Sequence, residues 1–124
     1  MGLSQCAFAT QLGVPDVLNG LPDECEGDVP CYVDWQNQLS GEYLRLYPGG
    51  RHADEANGNV ARVLNAVMDN LQEMPLVLKE FSPATRCGEL RESLNPLVAA
   101  VNASSAARKT EALVAIDRFA RLCQ

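Results

Sequence analysis

The apolar residues of this chain recur at spacings of three and four, the period of an α-helix that buries one face. Runs in which β-branched and polar residues alternate, as they do in amphipathic strands, are missing from the sequence. The 124 residues are enough for one domain with its own hydrophobic core. The sequence therefore predicts a single all-α domain over residues 1–124, a compact bundle of four to five helices with short loops.

Glycine and proline indicate where the first helices begin and end. A Gly- and Pro-containing loop over residues 19–30 precedes a helix that is predicted from Cys31 to Tyr47. Pro48 and the two glycines after it end this helix, and we expect the next one to begin near residues 51–53.

Two further helices are predicted in the C-terminal half. Ser82 followed by Pro83 combines a capping side chain with a proline at the first helical position, so a helix is expected to begin there. Its apolar residues are expected to form a buried face that is interrupted at Asn95 and Pro96. Ser104 or Ser105 is expected to cap the last helix.

Five cysteines are many for a cytosolic chain of this length, and their spacing matches no zinc-binding pattern. Cys25 and Cys31 flank a short segment that can bring its ends together, so we predict a disulfide between them. Cys87 and Cys123, on two C-terminal helices, are the second predicted pair, although Cys6 is an alternative partner for either. The remaining alternative is that all five are reduced core residues.

Disulfides indicate an oxidising compartment. The N-terminal sequence GLSQCAFATQLG has neither the basic region nor the long apolar region of a secretory signal. We therefore expect that an export signal has been removed from this chain.

The charge balance excludes some partners. With 16 acidic and 10 basic residues the formal net charge is −6, whereas nucleic acids and anionic membranes require a basic surface. Apolar runs also stay below the roughly 20 residues that span a bilayer. A cationic protein is the partner that this charge favours, and no cofactor is expected.

The stretch EYLRLYPGGRHADEA, residues 42–56, contains the only histidine, His52. It resembles the corner between two antiparallel helices in bacterial proteins of the tetratricopeptide kind, which follows the pattern Y-L-x-x-Y-P-x-G-x-x-A-x-E-A. The matching residues are Tyr43, Leu44, Tyr47, Pro48, Gly50, Ala53, Glu55 and Ala56. The resemblance covers one hairpin, residues 36–64, whereas a stable repeat array needs about three units. It implies a helical corner in which glycine provides positive φ and His52 is solvated.

Catalytic and metal-binding patterns are weak throughout the sequence. A thiol enzyme would need a free cysteine beside His52, and the predicted disulfide removes the two nearest candidates. Cys25, Cys31 and His52 would lack a fourth ligand for zinc, and DECEGD does not fit a calcium loop. We therefore predict no enzymatic activity, no catalytic residues and no metal site.

In length, helix content, cysteine usage and charge, the whole chain resembles the periplasmic immunity proteins of type VI secretion, which neutralise cell-wall amidase effectors. The resemblance implies a periplasmic inhibitor that covers the substrate cleft of a cationic amidase, often as a homodimer.

The predicted contact surface for such a partner is the acidic loop that contains Asp23, Glu24, Glu26 and Asp28. A disulfide between Cys25 and Cys31 would hold this loop in one shape and lower the entropic cost of binding. The alternative is that the loop is a solvated connector. The alternative function is a periplasmic adaptor or scaffold protein that binds its partner through the corner at residues 47–56.

Overall fold

Helices make up the regular structure of this protein in a computed structural model, which describes Cys25 and residues 28–72, 86–105 and 107–123. The elements in chain order are α1 (Val29–Gln36), a π-helical segment (Asn37–Gly41), α2 (Glu42–Leu46), α3 (Ala53–Gln72), α4 (Cys87–Ala103), α5 (Lys109–Ala120) and a 3₁₀ turn (Arg121–Cys123). These residues contain no strand, so the predicted all-α class is confirmed. Each helix falls short of the length or the apolar character that a bilayer-spanning segment requires. The predicted start at Ser82 and Pro83 lies outside the described residues.

The helix predicted from Cys31 to Tyr47 is one rod made of α1, the π-helical segment and α2. It begins two residues earlier, at Val29, because Pro30 suits a first helical turn. The π-helical segment contains one wider turn, in which backbone hydrogen bonds join residues five apart instead of four apart. Arg45 supports it, because its Nη2 donates to the Asn37 carbonyl oxygen at 2.7 Å.

The core lies where α3 meets the rod and the two C-terminal helices. Its largest fully buried side chains include Tyr43, Leu44, Val60, Leu64, Leu90, Leu97 and Phe119. These apolar side chains come from every long helix, so the helices share one core.

Residues 56–61, in the N-terminal half of α3, are enclosed on all sides, because every one of them is buried. Asn57, Gly58 and Asn59 are poor helix formers in isolation. Here Asn57 and Asn59 hydrogen-bond to neighbouring elements, and the Arg108 guanidinium occupies the space beside Gly58 that a Cβ atom would need. Tertiary contacts therefore explain why this segment is helical although its residues have low helix propensity.

Asn95 and Pro96 are exposed and interrupt the buried face of α4 between Leu94 and Leu97, as predicted, while the helix itself is continuous from Cys87 to Ala103. Proline cannot donate to the Glu92 carbonyl, which weakens this turn of the helix. The neighbouring rod braces it, because Asn37 Nδ2 donates to the Ser93 carbonyl oxygen at 2.8 Å. Packing thus overrides the local effect of the proline.

The predicted serine cap of the last helix is wrong. The Ser104 hydroxyl is buried, donates to the Val101 carbonyl oxygen at 2.7 Å and accepts from Asn57 Nδ2 at 3.0 Å. At the start of α5, the Arg108 N–H instead donates to Asp54 Oδ1 at 2.8 Å. The acceptor comes from α3, so a non-local carboxylate binds the start of α5 where a local serine was expected.

The corner between α2 and α3 is held by Tyr43. This side chain is fully buried, and its hydroxyl accepts a hydrogen bond from the His52 backbone N–H at 3.0 Å. A Cβ atom on Gly50 would lie 2.6 Å from that hydroxyl and 2.8 Å from Tyr47 Cβ. Neither Gly49 nor Gly50 has positive φ, which corrects the reason expected from the sequence. Glycine is needed at position 50 because the chain packs closely there.

We expect Gly50→Ala to lower the free energy of unfolding by about 1–3 kcal/mol, because the new methyl group overlaps a buried tyrosine hydroxyl. Gly49→Ala is the matched control, since its Cβ atom would make only an ordinary contact, 3.4 Å from Ser105 Oγ. Urea unfolding followed by circular dichroism measures both variants. Equal losses in the two would show that close packing at Gly50 is unimportant.

Candidate functional site: an acidic cleft between α1 and α4

Two disulfides secure the first turns of α1 and α4. Cys31, in α1, is bonded to Cys25 with a Cα–Cα distance of 5.4 Å. Cys87, the first residue of α4, is bonded to Cys123 with a Cα–Cα distance of 5.7 Å. These are the two pairs that the sequence favoured. Each helix is thus covalently fixed where it begins.

An ion pair joins the same two helix starts to each other. Asp28 directly precedes α1, Arg86 directly precedes α4, and their side chains form a salt bridge. Arg86 Nη2 also lies 3.1 Å from Glu89 Oε2. Hydrogen bonds to Asp28 and then Glu89 raise the pKa of Arg86 above its ordinary value. Because a raised arginine pKa lies far above physiological pH, the guanidinium stays charged there.

A cleft of about 410 Å³ opens between the two helices. Its lining residues are Asp28, Pro30, Asp34, Glu89, Glu92, Ser93 and Pro96. Four of these seven carry a carboxylate, and Arg86 at one end pairs with two of them. The cleft therefore presents negative charge on both walls.

Asp34 and Glu92 differ from the other carboxylates of the described chain. Every other described Asp or Glu side chain accepts a hydrogen bond or forms an ion pair with a described residue. Asp34 and Glu92 are exposed and have no such partner within the described residues. Both line the acidic cleft. The unpaired negative charge of the described region is therefore concentrated at this one place.

Of the four acidic residues predicted to bind a partner, Asp28 lies in the cleft. The other three, Asp23, Glu24 and Glu26, lie outside the described residues. The sequence reasoning did not identify the carboxylates on the opposite wall, Glu89 and Glu92. Their spacing of three places them on one helix face, but nothing local indicates that this face lies beside α1.

His52 has no part in this cleft. Its Nδ1 lies 3.1 Å from Glu55 Oε1, and its ring centroid lies 6.2 Å from that of Tyr43. All four described cysteines are in disulfides, so the described residues offer no thiol to this imidazole. Nor do they contain a group of three His, Cys, Asp or Glu side chains arranged to hold a metal ion.

Fold and site together define a small, disulfide-bonded, all-α protein with an acidic cleft. Comparisons with protein-family models, with curated proteins and with solved structures found no match to this chain.

Proposed function

We propose that this protein is a periplasmic immunity protein, which binds a secreted cell-wall amidase and inhibits it by covering the active site. The observation that supports the proposal is the acidic cleft between α1 and α4, in which Asp34 and Glu92 have no ion-pair partner among the described residues. Such a cleft suits a cationic segment of a protein partner, because arginine and lysine form strong charge-assisted hydrogen bonds with carboxylates.

The cleft is also held in shape before a partner arrives. Both of its walls begin at disulfide-bonded turns, and the ion pair between Asp28 and Arg86 links them. A preorganised site loses little conformational entropy on binding, so more of the contact energy contributes to affinity. The net charge of −6 would also speed encounter with a cationic amidase.

The two disulfides are typical of proteins from oxidising compartments. The periplasm is the oxidising compartment in which an amidase could damage the cell wall of its producer, so we place the protein there as part of the proposal.

An adaptor that binds through the helical corner has less support. Tyr43 and Gly50 are both engaged in forming the corner itself, and His52 interacts with Glu55 beside it. Leu46 is 46% exposed at the end of α2, but it is a single apolar side chain. Isolated exposed leucines are common on protein surfaces.

The test is co-purification with the product of an adjacent amidase gene, followed by a peptidoglycan-hydrolysis assay with and without this protein. We expect a stoichiometric complex and loss of hydrolysis at a one-to-one ratio. A complex that leaves hydrolysis intact would favour the adaptor, and turnover by this protein alone, lost in His52→Ala, would establish an enzyme instead.

A further inference from the structure

Three buried polar side chains meet where the rod packs against α3. Gln36 and Ser40 are fully buried, and Asn59 is 6% exposed. Gln36 and Ser40 are four residues apart, so they lie on one face of the rod. Asn59 Nδ2 donates to Ser40 Oγ at 3.0 Å and lies 3.5 Å from Gln36 Oε1. We call these three residues the amide cluster.

Two donors of the amide cluster have no acceptor among the described residues. Gln36 Nε2 is buried and makes no hydrogen bond to any of them. The Ser40 oxygen accepts from Asn59, but its own proton is not donated to any described residue. A buried donor without an acceptor is destabilising by about 1–3 kcal/mol, so such groups are almost always satisfied by protein or by ordered water.

We propose that the amide cluster binds an internal water molecule, whose oxygen accepts hydrogen bonds from Gln36 Nε2 and the Ser40 hydroxyl. Buried waters typically make about three hydrogen bonds to polar groups of this kind. The site begins at the last residue of α1 and includes the π-helical segment, where the wider turn departs from regular helix packing.

A neutral ligand suits the amide cluster better than an anion. Its three side chains are uncharged, and a buried anion without a paired cation is strongly disfavoured. Among the described residues, the guanidinium that contacts the cluster is that of the exposed Arg62, which donates to Asn59 Oδ1 at 2.8 Å. That hydrogen bond holds the Asn59 amide so that its nitrogen faces Ser40 and Gln36.

A high-resolution crystal structure of the unmodified protein tests the proposal directly. We expect a water peak within hydrogen-bond distance of both Gln36 Nε2 and Ser40 Oγ. A site with no peak, or a peak that contacts neither atom, would overturn the proposal. Because this measurement uses the natural chain, it does not depend on whether any variant folds.

The melting temperature of Gln36→Met provides a second test, whose sign distinguishes a hydrated cluster from a dry one. Methionine has a similar shape but no donor. If water is bound, the substitution removes one of its partners and lowers the melting temperature. If the cluster is dry, the substitution removes an unsatisfied donor and raises it, which contradicts the proposal. Gln38→Met, at an exposed position of the same rod, is the matched control and should change little.

Discussion

Replacing Cys87 and Cys123 together by alanine should lower the free energy of unfolding by about 4 kcal/mol. The disulfide spans a sequence separation of 36, so its loss releases a large loop in the unfolded chain. It also connects the start of α4 to the turn after α5, two points that lie at opposite ends of the C-terminal segment of the chain. Denaturant unfolding under non-reducing conditions measures the effect.

The matched variant replaces Cys25 and Cys31 by alanine. That disulfide spans a separation of only six, so loop entropy predicts a loss of about 2 kcal/mol. The expected order, a larger loss for the C-terminal disulfide, is the informative result. If the two variants lose equal stability, or the short disulfide matters more, loop closure is not the main source of stabilisation.

Reversing the unpaired charges of the cleft, in the double variant Asp34→Lys and Glu92→Lys, should weaken binding to a cationic amidase about 100-fold. The two lysines would face the partner's own cations across the cleft, and repulsion between like charges adds to the lost attraction. Neither carboxylate has an ion-pair partner among the described residues, so we expect the fold to be retained. Isothermal titration calorimetry measures the affinity, and circular dichroism checks the fold.

A control must separate contact in the cleft from the general loss of negative charge. Glu111→Lys with Asp117→Lys changes the net charge equally, but on exposed positions of α5. Their ion pairs with Arg108 and Arg121 are at the surface, where such pairs contribute little to stability. We expect this control to slow association slightly and leave the dissociation rate unchanged. Equal weakening in both double variants would remove the cleft from the interface.

Much of the helical structure was predictable because its signals are local. The rod predicted from Cys31 to Tyr47 and the restart near residues 51–53 were identified from apolar spacing, proline and glycine. Both disulfides were also predicted, because a short loop and two helical segments left few reasonable pairings. The sequence also predicted the corner between α2 and α3. It gave positive φ as the reason for glycine there, whereas Gly50 is needed because it packs closely against Tyr43.

The features that the sequence did not reveal have a common physical origin in contacts between residues far apart in sequence. Pro96 weakens α4 locally, and Asn37 braces the neighbouring turn from another helix. At the start of α5, where a local serine cap was expected, the Arg108 N–H bonds instead to Asp54 of another helix. Neither partner can be identified from the residues next to it in the chain.

By itself, then, the sequence determined the helical class, the main helical segments of the described chain and the acidic charge, because each depends on local spacing or composition. It favoured the two cysteine pairs but left other pairings open. Only the tertiary structure decided where the charge acts. It places Asp34 on one wall of a cleft and Glu92 on the other, more than 50 residues apart along the chain, and leaves both without a partner among the described residues. The packing of α1 against α4 creates that arrangement, and such packing follows from the shape of the whole core.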